Sequence, residues 1–127
     1  MLRYAFNPAN DKLVRVYGRG LSVSNRNSIK ICRAITGKPL PKAKSFVERM
    51  VSGKGDLDGK YYTNASKEIL NLLKSAEDNA EFRGLDAKRM IVNASAHKGF
   101  AYYRPRRFKM KRQTKKVTHI QIVCQEK

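Results

Sequence analysis

Between Lys88 and Gln125 the sequence contains no aspartate and no glutamate, although eleven of its lysines and arginines lie there. The chain also lacks tryptophan, and it has only two cysteines. Each shortage excludes something. Cys32 and Cys124 are too few for a disulfide scaffold and show no C-x-x-C spacing, so buried free thiols are expected. No apolar run approaches the roughly 20 residues of a spanning helix, so membrane insertion is not expected. The opening MLRYAFNPANDK has no unbroken apolar core of a secretory signal. The lack of acid also bears on catalysis. His97 and His119 are the side chains suited to proton transfer near neutral pH, and strand geometry can bring them close. No nucleophile or carboxylate cluster accompanies them, and Cys32, His97, His119 and Cys124 lack zinc-finger spacing. The sequence predicts no enzyme, no metal site and no cofactor.

What is present is positive charge. The net charge is +18 over 127 residues, with a hydrophobic fraction of 41%. That fraction and length suit one domain with a modest core. Such a balance attracts a polyanion, of which nucleic acid is the commonest. The excess is uneven: residues 1–87 hold 16 basic and 9 acidic side chains, so the remaining third carries most of it.

The pattern along the chain reads as an α+β fold. KLVRVYGRGLSV (Lys12–Val23) is a strand interrupted by a Gly-Arg-Gly bend or bulge. Ser24 is placed to cap a helix that Gly37 and the prolines at 39 and 41 end. At 100° per residue Ile29, Ile31, Cys32 and Ile35 share one arc of it, with Arg26, Lys30 and Arg33 opposite. No acid stands four residues from these cations, which leaves the stripe to an external anion. In the next helix Ala43, Phe46, Val47, Met50 and Val51 form a core stripe closed by Gly53. SGKGDLDGKYYTN fails as a phosphate loop, because Lys54 replaces its first glycine and Tyr61 its serine or threonine. A third helix from Thr63 or Asn64 to Arg83 buries Ile69, Leu72, Leu73, Ala76 and Ala80. Its acids Glu68, Glu77, Asp78 and Glu81 turn it away from phosphate. Strict alternation in KRMIVNASAHKG and VTHIQIVC gives two more strands. The expected fold is therefore a small antiparallel three-stranded sheet packed against three helices.

The two last strands are joined by a long segment. If Met90 pairs near Cys124, the hairpin turns at Arg107, and each leg reaches up to about 65 Å when extended. A body of this size has a radius of gyration of about 13 Å, so the outer hairpin is expected to protrude. We read residues 1–127 as one domain with 98–117 as its extended arm. In FAYYRPRRFKMKRQTKK (Phe100–Lys116) Arg104, Arg106, Arg107 and Arg112 offer forked donors for phosphate. Lys98, Lys109, Lys111, Lys115 and Lys116 add point charges, and Tyr102, Tyr103 and Phe108 can stack on unpaired bases.

Three motifs carry a resemblance. VSNRNSIKICRAITGK (Val23–Lys38), SAEDNAEFRGLD (Ser75–Asp86) and THIQIV (Thr118–Val123) resemble a universal large-ribosomal-subunit protein family, numbered twenty-two in bacteria and seventeen in eukaryotes. The resemblance covers nearly the whole chain, with an archaeal or eukaryotic flavour in KYYTNASKEIL. It implies a non-catalytic constituent of the cytoplasmic large subunit that binds its ribosomal RNA beside neighbouring ribosomal proteins. The hairpin would thread the RNA so that its tip meets the nascent polypeptide in the exit tunnel. Two departures stand out: RRFKMKR has no glycine near the tip, and Ser52–Thr63 is shorter than in most archaeal and eukaryotic relatives. The alternative is a free-standing basic RNA-binding or chaperone protein.

Overall fold

Alternation of apolar and polar residues fixes how the sheet faces the helices. The computed structural model describes residues 2–55 and 57–127, the side chain of Phe108 excepted. It runs β1 (Leu13–Leu21), α1 (Asn25–Ile35), α2 (Leu40–Val51), α3 (Thr63–Phe82), β2 (Met90–Lys98) and β3 (Thr118–Glu126). The sheet is antiparallel in the order β1-β3-β2, so the last strand of the chain lies in the middle. Its even-numbered residues Ile120, Ile122 and Cys124 are fully buried beneath the helices. Val14 and Val16 of β1 and Val92 and Ala94 of β2 stand opposite them on the same face.

The three helices close that face, α1 against β2, α3 against β1, and α2 against α3. In α1 the buried residues are Ser28, Ile31, Cys32 and Ile35, while Ile29 is only half-buried. The buried stripe thus follows helical spacing rather than residue type, and a serine takes the place expected for an isoleucine. Its hydroxyl donates to the Ser24 carbonyl at 2.9 Å, which makes that burial tolerable. Ser24 occupies the N-cap position, but its side chain makes no capping bond. In α2 Leu40, Ala43, Val47 and Met50 are buried and Phe46 packs beside them. In α3 Leu72, expected in the core, is half-buried and lies over Gly18. Gly84, at φ +69, ends α3 with Gly84 N–H donating to Glu81 and Leu85 N–H to Ala80.

The link between α1 and α2 seals the outer edge of β2. Gly37 N–H donates to the Val92 carbonyl, and Val92 N–H donates to the Lys38 carbonyl. That leaves less free edge for wrong pairing. On the opposite face Gln121 is held between Ala5 N–H and the Arg3 carbonyl, each at 2.9 Å.

Two glycines shape the end of the sheet from which the long connection leaves. β1 shifts register between Gly18 and Leu21, the expected bulge, with Gly20 at φ +69. A Cβ on Gly99 would lie 2.5 Å from Val117 Cγ1 and 2.9 Å from the Val117 carbonyl. The close approach there needs glycine. Gly99→Ala is expected to lower unfolding free energy by about 1–3 kcal/mol, read from urea denaturation.

Candidate nucleic-acid interface

The ladder between β2 and β3 runs to Lys98 opposite Thr118 and does not stop there. Gly99 N–H donates to Val117, Lys115 N–H to Tyr102, and Arg104 N–H to Gln113, at 2.7–2.9 Å. Tyr103 and Thr114 form a further bridge. Backbone pairing therefore carries the connection outward without help from a core. Every described side chain from Phe100 to Lys116 is exposed. Because Val92, not Met90, pairs with Cys124, the centre of the hairpin falls at residue 108 rather than at Arg107. The turn is a single 3-10 segment, Phe108–Met110, followed by Arg112 in the left-handed region at φ +61. Gln113 Nε2 ties it by donating to the Lys109 carbonyl.

Among the described residues no carboxylate pairs with the charge on this connection. The ion pairs among the described residues are Lys12–Glu126, Lys30–Asp58, Lys44–Glu77 and Arg89–Asp86. None involves a residue between Lys98 and Val117. Tyr103, Arg104, Arg106, Lys111 and Arg112 line an open cleft of about 540 Å³ near the turn. Lys115 sits 4.9 Å from the ring centre of Tyr102, so one aromatic is engaged by a cation of its own chain. Arg107 and Lys109 lie exposed beside the turn, and the expected stacking role of Phe108 falls outside the described side chains.

The helix α1 contributes differently from the reading of its cationic stripe. Arg26 and Arg33 are exposed. Lys30 instead donates to the Tyr62 hydroxyl at 3.1 Å and stands 3.6 Å from Asp58 Oδ2. The hydrogen bond to Tyr62, with the Asp58 carboxylate, holds its ammonium above the ordinary lysine range. The partner comes from a loop distant in sequence, which no helical spacing reveals. Arg26 lies instead at the root of the hairpin, where it shares a cleft with Lys98, Lys115 and Lys116.

The histidines face each other as a register pair, His97 opposite His119. His119 Nδ1 accepts the Gly20 N–H at 2.9 Å, and its ring lies between Tyr17 and Phe100 at centroid distances of 5.8 and 5.7 Å. It is a brace for the root of the hairpin. Cys124 points into the core while His119, an odd number of residues away on the same strand, points outward. The four candidate zinc ligands therefore do not converge, and no group of three or more such ligands occurs among the described residues. No described helix is long and apolar enough to cross a membrane.

Residues 16–125 match the family described as ribosomal protein L22p/L17e. The chain belongs to that family. Among similar proteins is the large ribosomal subunit protein uL22 of Archaeoglobus fulgidus, 31% identical over 84% of both chains. That of Methanococcus aeolicus is 29% identical over 98% of this chain and 97% of its own. That of Methanocaldococcus jannaschii is 29% identical over 98% and 95%. The last two alignments span 148 positions against 127 residues here, so these archaeal L22p/L17e proteins carry insertions relative to this one. The family is structural, not enzymatic.

Burial pushes the thiols of Cys32 and Cys124 up to about 12, so both stay neutral and uncharged at physiological pH. At pH 8 iodoacetamide is expected to leave both unmodified in the folded protein and to label both in urea, as read by mass spectrometry. Rapid labelling of the native chain would contradict the buried placement.

Proposed function

We propose that this L22p/L17e chain is a structural constituent of the large ribosomal subunit, and that residues 98–117 form the arm by which it holds ribosomal RNA. One observation carries the reading: the hairpin keeps its backbone paired while every described cation on it lacks an acidic partner. Phosphates of packed RNA helices repel one another, and cations placed between them remove that cost. The four arginines Arg104, Arg106, Arg107 and Arg112 grip phosphate oxygens in pairs, and the lysines Lys98, Lys109, Lys111, Lys115 and Lys116 add to the field. Tyr102, Tyr103 and Phe108 stack on bases that RNA structure leaves unpaired. Arg33 and Arg26 extend the contact onto α1, with Lys30 contributing less because Asp58 already balances it.

Membership of a ribosomal family favours this over a free-standing RNA chaperone. Neighbouring ribosomal proteins share the same RNA, and the turn of the arm reaches the nascent polypeptide at the tunnel wall. That final role follows from family resemblance and from the length of the arm.

Binding to a large-subunit ribosomal RNA transcript is expected to weaken with salt at a log–log slope on the order of −4 to −7, for six to eight phosphates. Replacing Arg104, Arg106, Arg107 and Arg112 together by glutamine should make that slope shallower by about three and leave the unfolding temperature unchanged. An unaltered slope would show that the arm is not the anchor.

A further inference from the structure

The two edges of the sheet are finished differently. On the outer edge of β2, Val92 bonds Gly37 and Lys38 through both its backbone groups, and Ala94 N–H donates to Thr36 Oγ1 at 3.2 Å. Even-numbered residues of β2 thus point their backbone groups away from the sheet, so its odd-numbered residues bond those of β3. The even-numbered residues of β3 are left for β1, where Ile122 meets Val16 and Cys124 meets Val14. Odd-numbered residues of β1 therefore turn their N–H and C=O groups to the free edge. The carbonyl of Leu13 bears this out by accepting from Arg83 Nη1 at 2.7 Å.

Beyond Leu13 the edge is open. Among the described residues, no hydrogen bond outside the ladder reaches the backbone of Arg15 or Tyr17. Arg83 closes one end of this stretch, and the bulge that begins at Gly18 closes the other. About five residues of regular edge lie between them, an ordinary strand length. The usual guards of a free edge are missing, since neither proline nor lysine stands there. The Arg15 guanidinium is held by Asn7 and by the Tyr4 ring, in the N-terminal segment that Gln121 ties to the outer face of the sheet.

We propose that the free edge of β1 seats an extended acidic segment of another protein, which joins the sheet as a fourth strand. Backbone pairing selects a peptide. At Arg15 and again at Tyr17 the edge offers one donor and one acceptor together, and a strand returns the same pair at the same spacing. An RNA backbone presents phosphate acceptors and has no such alternation. Charge selects the sequence. Residues placed opposite Arg15 and Tyr17 share their outward face, where both partners of Arg15 are neutral and Arg19 is exposed, so carboxylates are favoured. The residues between them face inward toward Leu72, which is half-buried over Gly18, so apolar side chains are favoured. A second copy of this chain would bring another +18 to the contact and is disfavoured. The seat involves no residue of the arm and stands whether or not the arm holds RNA.

Amide hydrogen exchange of the full chain, followed by NMR, tests the seat. The probe is a capped nine-residue peptide of alternating valine and glutamate. In the free protein the Arg15 and Tyr17 amides are expected to exchange faster than those of Val14 and Val16, which the ladder holds. The peptide should slow Arg15 and Tyr17 about tenfold or more and leave Val14 and Val16 unchanged. A peptide of the same charge with its valine nitrogens and its glutamate nitrogens methylated cannot donate to either edge and should have no effect. A valine–lysine peptide should have none either. Failure of the acidic peptide to slow the two amides overturns the seat, as does equal slowing by the methylated or the lysine peptide. Equal slowing by a short oligouridylate would show that the edge binds RNA instead. Protection that grows with protein concentration, without any peptide, would show that the occupant is a second copy.

Discussion

Charge that the protein cannot neutralise by itself is the constraint on which the rest of the structure depends. Lys88 to Gln125 holds eleven cations and no carboxylate, and the acids elsewhere are already engaged in part by Lys12, Lys30, Lys44 and Arg89. Burying those cations in the body would cost more than the apolar neighbours return. They must therefore be carried outside it, and a hairpin is a cheap way to do so. Its backbone groups satisfy one another across the two legs, so it needs no core of its own. An isolated two-stranded hairpin is marginal in water. Here the legs are continuous with β2 and β3, and the folded sheet supplies the nucleus.

The root of the hairpin is where body and arm are joined, and packing there is tighter than its polar sequence suggests. Phe100 leans on His119 and also approaches Gly20, within 3.3 Å of where a side chain at that glycine would begin. His119 in turn accepts a hydrogen bond from the Gly20 backbone and rests against Tyr17. The bulge in β1 is thus a socket: a positive φ at Gly20 aims an N–H at the imidazole and clears space for the phenyl ring. Gly99 lets the legs come together one residue beyond the last ladder pair. His119, which with His97 resembles an acid–base pair in sequence, is explained as part of this joint.

Most of the elements were legible because each announces itself by local periodicity. Alternation placed the three strands, the glycines at 37, 53 and 84 marked helix ends, and the Gly-Arg-Gly bulge showed in residue type alone. The failures share a physical origin in contacts between segments distant in sequence. Nothing local says that β3 lies between β1 and β2, that Gly37 and Lys38 pair with Val92, or that Asp58 and Tyr62 engage Lys30. A pairing of Met90 near Cys124 differs by two residues from the observed one, in which Val92 meets Cys124, because either of two inward residues satisfies the same alternation. In α1 Ser28 takes the inward place expected for Ile29, because a hydroxyl bonded to its own helix backbone packs like a small apolar group.

The acids of α3 deserve a physical account, because they are arranged against the helix's own interest. A helix is stabilised by negative charge at its start and positive charge at its end. α3 has no acid in its first turn and no base in its last, while Glu77, Asp78 and Glu81 crowd its second half. Lys44 of α2 offsets one of them, at 2.6 Å from Glu77. The others work against the dipole, each by roughly 0.3–1 kcal/mol at an exposed site. Packing of Ile69, Leu73, Ala76 and Ala80 supplies the stability that this charge order withholds. An acid-free start leaves the positive end of the helix dipole without compensation from its own first turn. The same holds for α1, whose first turn is also without acid and whose Arg26 faces the neighbouring cleft. Two helices whose first turns hold no acid thus begin beside the same lysine, Lys116, so positive potential is concentrated on that side of the body.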